Sequence, residues 1–150
     1  MERRDFLKSS LAFVTAFSLT ESIFLKDVFA DQATNGNINR LADKNNPSSL
    51  EKGHVPKIIV PSRINANEWF DVVVKVGFIN EHPSTEEHWI TDIKLLVDGK
   101  DVAHVKHIVG GITPSEATFR IKLQNSAKLE AIEHCNLHGT WISEPVQITL

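Results

Sequence analysis

Alternate residues between positions 70 and 78 are apolar. Phe70, Val72, Val74, Val76 and Phe78 fall on one side of an extended chain, and Asp71, Lys75 and Gly77 on the other. A period of two marks a half-buried strand and cannot line one face of a helix, where apolar positions recur every three to four residues. Residues 116–123 repeat the arrangement, with Ala117, Phe119, Ile121 and Leu123 opposed to Thr118, Arg120 and Lys122. Further strands are predicted at 55–60, 89–97, 101–109, 128–134 and 143–149, with Asp98-Gly99 as a tight hairpin turn. About seven short strands within roughly 100 residues predict an all-β sandwich with one core, the domain spanning 51–150. No helix is predicted in this domain.

The segment 1–30 reads as an export signal to be set aside from the fold. Arg3-Arg4-Asp5-Phe6-Leu7-Lys8 is a twin-arginine pattern, an apolar stretch follows from Leu11 to Leu25, and Val28-Phe29-Ala30 offers the small residues that a signal peptidase reads. Cleavage after Ala30 and a periplasmic destination are expected, by way of the twin-arginine export machinery. Retention as a membrane anchor is the competing reading, although Glu21 and Lys26 cut the apolar run below the ~20 residues of a span. Residues 31–50 are rich in Asn, Asp, Ser and Ala, a composition that buries little apolar surface, and are expected to form a flexible linker. The formal net charge of −3, with no basic run and no basic-aromatic stripe, argues against a nucleic-acid partner.

Cys135 is the only cysteine, so no disulfide can form within the chain, and an exported protein gains nothing from a spare thiol. It opens Cys135-Asn136-Leu137-His138-Gly139. Upstream lie His54, before Val55-Pro56, and His82 and His88, six positions apart in a polar connection between predicted strands. All five lie at predicted strand ends or in loops, where side chains from distant parts of the chain can meet. One thiolate and four imidazoles suffice to hold a metal ion, and ligand type alone leaves iron, copper, nickel and zinc open. Five protein ligands exceed the four of a structural zinc site and leave one octahedral position free, which on a redox-active metal is a catalytic arrangement.

Three blocks in order, Glu51-Lys52-Gly53-His54-Val55-Pro56, His82-Pro83 through His88, and Cys135-Asn136-Leu137-His138-Gly139 followed by Trp141, resemble the superoxide reductases. The resemblance is to the single-iron neelaredoxin type, equivalent to the iron-binding domain of desulfoferrodoxin, and it covers residues 51–150. It implies an immunoglobulin-like sandwich carrying one mononuclear Fe(2+)/Fe(3+) ion. The iron ligands it implies are His54, His82, His88 and His138 in a plane, with the Cys135 thiolate on the axis. The implied reaction is the one-electron reduction of superoxide to hydrogen peroxide, with the thiolate pushing electron density toward the metal. Backbone N–H groups of Leu137 and His138 are expected to donate to the sulfur. Longer members carry an extra four-cysteine iron centre, which a single cysteine cannot supply, so electrons are expected from an unidentified periplasmic donor. Homo-oligomers are common among such proteins.

In the family pattern a glutamate and a lysine directly precede the first histidine, the glutamate able to ligate oxidised iron and the lysine assisting superoxide attraction and proton delivery. Here Gly53 intervenes. Either Gly53 forms a one-residue bulge that keeps Glu51 and Lys52 in those catalytic roles, or Lys52 takes the glutamate's place; the bulge is preferred because glycine tolerates positive φ. His104 and His107, three apart on one predicted strand, point to opposite faces and are read as solvated, and His134 as an outer residue facing away from the iron. Trp69, Trp89 and Trp141 are read as core or interface anchors, and Glu86 and Glu87 as solvated. Two other functions compete. A blue-copper electron-transfer protein would usually need an axial methionine, and the sole methionine is Met1, inside the signal. A non-catalytic metal-binding module fits the fold but not the vacancy in the ligand set.

Overall fold

The structure is a computed structural model and describes residues 37–150. The signal, its cleavage site and residues 31–36 of the expected linker lie outside the described residues. Among the described residues eight strands follow one short helix: α1 Ser49–His54, β1 Pro56–Ile59, β2 Trp69–Val76, β3 Ile90–Val97, β4 Lys100–Lys106, β5 Glu116–Lys122, β6 Ala127–Cys135, β7 Gly139–Ile142 and β8 Val146–Ile148. They form two antiparallel sheets. One has the order β1-β2-β5, the other β4-β3-β6-β7, with β8 also paired to β6.

The alternating residues meet where the pattern requires. Phe70, Val72, Val74 and Val76 of β2 and Ala117 and Phe119 of β5 pack against Ile93 and Leu95 of β3 and Leu129 and Ala131 of β6. Each large apolar side chain taken fully out of water contributes about 1.5–3 kcal/mol, so this interlayer core is the principal stabilising element. Asp98 (φ 50°) and Gly99 (φ 77°) both occupy the left-handed region that a two-residue hairpin turn of the favoured twist demands, and join β3 to β4.

Four local expectations need correction. The strand predicted over 143–149 is shorter, Val146–Ile148, because Pro145 has no N–H to give the ladder, and a separate, unpredicted strand, Gly139–Ile142, precedes the break at 143–145. The segment 37–50 is held rather than loose. Asn39 N–H donates to Thr140 O at 2.9 Å, Ile142 N–H donates to Asn39 O at 3.0 Å, and Lys44 pairs with Glu144. Composition missed this because the partner is the open edge of β7, which offers backbone groups, not an apolar surface. A helix exists where none was predicted: Ser48 and Glu51 form a reciprocal capping box that nucleates α1. Finally, Trp69 is 60% exposed, with the Lys122 ammonium 5.1 Å from its ring centroid, so it is no core anchor.

Candidate metal centre

Each of the three sequence blocks is shaped by a local device that aims a side chain at one end of the sandwich. In the first, α1 runs only to His54 because Pro56 follows closely, disfavouring further helix, and Val55 N–H closes the last turn on Glu51 O at 3.0 Å. Its final residue is therefore presented at the mouth of β1. In the second, Gly77 (φ 89°) turns the chain out of β2, and a Cβ there would lie 1.9 Å from Asn80 O. His82 N–H then returns to Val76 O at 3.1 Å. The loop is closed from within: Thr85 N–H donates to His88 O at 2.9 Å and His88 N–H to Thr85 Oγ1 at 3.0 Å, folding the six-residue spacing back on itself. In the third, inward alternation along β6 (Ala127, Leu129, Ala131, Glu133, Cys135) delivers the thiol at the strand's last position, and Gly139 (φ 77°) starts the return strand β7.

The four imidazoles form a closed ring. Centroids of His54 and His82 are 4.7 Å apart, His82 and His88 4.5 Å, His88 and His138 4.9 Å, and His138 and His54 4.7 Å, each edge-on to the next at 72–80°. Across the ring, His54 and His88 stand 6.1 Å apart. The sulfur joins them: Sγ of Cys135 is 3.2 Å from His88 Nε2 and 3.5 Å from His138 Nδ1. Donor atoms of His54, His82, His88 and Cys135 all lie within 4.8 Å of one another, and His138 Nδ1 closes the set at 3.0 Å from His54 Nε2.

The hydrogen bonds fix which nitrogen is free. A carbonyl can only accept, so His54 Nδ1–H donates to Leu50 O at 2.8 Å and His82 Nδ1–H to Pro83 O at 2.7 Å. In the neutral rings that leaves the Nε2 lone pairs turned inward. Burial favours the neutral form of His54, His82 and His88. It lowers the pKa of His54 and His88, and that of His82 to about 4, with the neighbouring imidazoles adding repulsion to any charge. Burial pushes the Cys135 thiol up, opposed by hydrogen bonds from the backbone N–H groups of Leu137 and His138 to the sulfur. Those two donors were expected from the tight loop.

Whether a cation fits can be judged from the buried polar atoms that the protein leaves unserved. Among the described residues three buried side-chain polar atoms lack a hydrogen-bond partner, and one is His82 Nε2, in the middle of this cluster. A buried acceptor costs about 1–3 kcal/mol when unsatisfied, and a positive ion between four nitrogens and a thiolate removes that cost. A cation also favours the deprotonated sulfur that burial alone disfavours. The donor set fits a metal ion.

Other candidate residues sit elsewhere. Glu51 does not face the ring: its carboxylate accepts N–H from Ala42 at 2.7 Å and from Ser48 at 2.6 Å, bonds that hold its pKa down. Gly53 is helical, with no positive φ, so the expected bulge is absent; the extra residue is absorbed into α1. Lys52 is half-buried, and its carbonyl anchors the next block by accepting from Ile79 and Asn80. His104 is exposed and bonded to Asp92 at 2.7 Å. His107 is buried rather than solvated, bonded to Ile90 O at 3.1 Å. His134 is exposed and bonds Thr140 Oγ1, away from the cluster.

Three neighbours of the cluster were not among the candidate site residues. Trp141 stacks on His54 at 5.3 Å and its Nε1–H donates to His138 O, so it touches two of the histidines. Glu133 lies fully buried on β6, two residues from Cys135, without a partner for either carboxylate oxygen. Asn136 bonds the segment carrying His88. Asn136 lies inside the last sequence motif and Trp141 two residues beyond it, whereas nothing in the sequence marked Glu133.

A four-histidine, one-cysteine constellation at the end of an antiparallel sandwich defines a class: mononuclear metal proteins built on a β-scaffold. Residues 46–144 match the family described as Desulfoferrodoxin. A desulfoferrodoxin of Syntrophotalea carbinolica is 36% identical over 104 residues, covering 69% of this chain and 71% of that one. A superoxide reductase of Pyrococcus abyssi is 35% identical over 82 residues, covering 49% and 70%. Among solved structures, the superoxide reductase (neelaredoxin) from Ignicoccus hospitalis superposes with a TM-score of 0.61 at 31% identity, over 75% of this chain and 94% of that one. The chain belongs to the desulfoferrodoxin family.

Proposed function

We propose that this protein is a superoxide reductase, an oxidoreductase that converts superoxide, one electron and two protons into hydrogen peroxide. The observation that carries the reading is the closed ring of four imidazoles beside the Cys135 sulfur, with His82 Nε2 buried and unpartnered at its centre. His54, His82, His88, His138 and Cys135 would hold a single iron, five donors leaving one of six positions for the substrate. When bound, ferrous iron supplies the electron. The chain's own part is to keep His54, His82 and His88 neutral by burial, to lock two of them through Leu50 O and Pro83 O, and to steady the thiolate with the amides of Leu137 and His138.

Lys52, two residues before His54, is the cation we assign to drawing the anion toward an acidic protein; Lys52→Ala should slow the reaction at low ionic strength. Glu51 acts as a helix cap. The electron comes from a separate periplasmic donor, because one cysteine cannot build a second cysteine-ligated iron centre. Export through the twin-arginine route, with cleavage after Ala30, is supported by Arg3-Arg4 and Val28-Phe29-Ala30. The functional test is product balance on anaerobically prepared ferrous protein. Peroxide without accompanying oxygen is the expected result, and oxygen evolved together with peroxide would mark a dismutase instead.

A further inference from the structure

Resting on the proposed metal centre, a further role can be read at Asn136, between the thiol and the strand that carries His88. Strands β3 and β6 pair regularly from Val97 opposite Leu129 to Asp92 opposite His134, then shift register before Ile90 opposite Cys135. One residue on, Asn136 N–H donates to Trp89 O at 3.2 Å, as a ladder should. The reciprocal bond is different: Trp89 N–H ends on the side-chain Oδ1 of Asn136, at 3.0 Å. The other end of the same amide, Nδ2, donates to Glu87 O at 2.8 Å. The Asn136 side chain thus grips the peptide groups of both neighbours of His88, whose Nε2 stands 3.2 Å from the Cys135 sulfur.

We propose that Asn136 is a positioning residue that sets the His88-to-Cys135 geometry of the metal centre by clasping the chain on both sides of His88. By lending Trp89 a side-chain oxygen, Asn136 takes over a rung of the ladder and lets the backbone leave the sheet at Leu137 and His138. Their amides can then turn to the sulfur. The chemistry admits few substitutes. The position needs one acceptor and one donor on a single short planar group: aspartate lacks the donor, glutamine is a methylene too long, and serine cannot reach two peptide groups. Loss of such an outer partner typically weakens metal binding on the order of 10–100-fold.

The experiment compares iron-loaded wild-type protein with Asn136→Ala and Asn136→Asp. Two properties are read: the rate of iron release to a strong chelator, and the position of the sulfur-to-ferric-iron absorption band in the oxidised protein. Expected for Asn136→Ala are a folded protein, release faster by roughly 10–100-fold, and a displaced band. A merely structural role would lower thermal stability and leave the band in place, and that outcome overturns the proposal. Should Asn136→Ala not fold, Asn136→Asp decides, since it is close to isosteric, keeps the acceptor for Trp89 and sets an oxygen against Glu87 O. Wild-type release and band in that variant overturn the clasp; a displaced band supports it. A wild-type protein with no sulfur-to-iron band would sink the metal-centre reading as well, so the two failures are told apart.

Discussion

Glu133 offers the sharpest energetic test, because the fold buries it completely and gives neither carboxylate oxygen a partner. Burial raises its pKa from the ordinary 4.5 to about 9, so the folded protein holds a proton that the unfolded chain has already released across that interval. Between those limits the unfolded state binds fewer protons, and stability falls as pH rises, by up to tenfold in the folding constant per pH unit. The contribution is whole below pH 4.5 and lost as pH climbs through about 9. At pH 7 the penalty is about 3 kcal/mol. Glu133→Gln removes the titration while keeping the shape; its amide also lacks partners, but that cost does not vary with pH. Urea unfolding of metal-free wild type and variant, run from pH 5 to pH 8.5 (about that window), should give stability curves that diverge steadily in favour of the variant. Parallel curves would refute the reasoning, since they would mean the carboxyl is solvated or paired in solution.

Gly53→Ala should stabilise the protein by about 0.5–1 kcal/mol in thermal or urea unfolding, because Gly53 is helical and an added Cβ meets nothing within 4 Å; a bulge would give a loss instead. Gly77→Ala should destabilise the fold and weaken metal retention together, read as unfolding midpoint and iron content, because φ 89° and a contact of 1.9 Å with Asn80 O both oppose a side chain just upstream of His82. Iron removal by a chelator should accelerate as pH falls. The thiol, raised by burial, reclaims its proton first, while His82 stays neutral down to about pH 4. Stopped-flow loss of the sulfur-to-iron band across pH follows this directly. Equal rates at high and low pH would show that the sulfur is not a ligand.

Period-two alternation made the sandwich legible because burying one face of a strand constrains every second residue, as at Val72, Val74 and Val76. The hairpin at Asp98-Gly99 was legible because few residue pairs accept two positive φ values. The histidines and Cys135 were legible as a set, by type and by their places outside the strand interiors, although nothing in their spacing specified a closed ring. What the sequence hid depends on backbone groups. The segment at Asn39 is held by the β7 edge, and α1 by a capping box too short to show periodicity. Glu51 illustrates the limit: the same carboxylate could serve a metal or cap a helix, and only the positions of Ala42 and Ser48 N–H decide. His107 is similar, polar by type but buried because Ile90 O lies within reach at 3.1 Å.

Iron-edge X-ray absorption on the anaerobically loaded protein tests most directly the claim that His54, His82, His88, His138 and Cys135 share one metal. The account predicts a single sulfur and four imidazole nitrogens in the coordination shell, the sulfur vanishing in Cys135→Ser. A shell of nitrogen and oxygen alone in the unaltered protein, or one unchanged by that substitution, would contradict it.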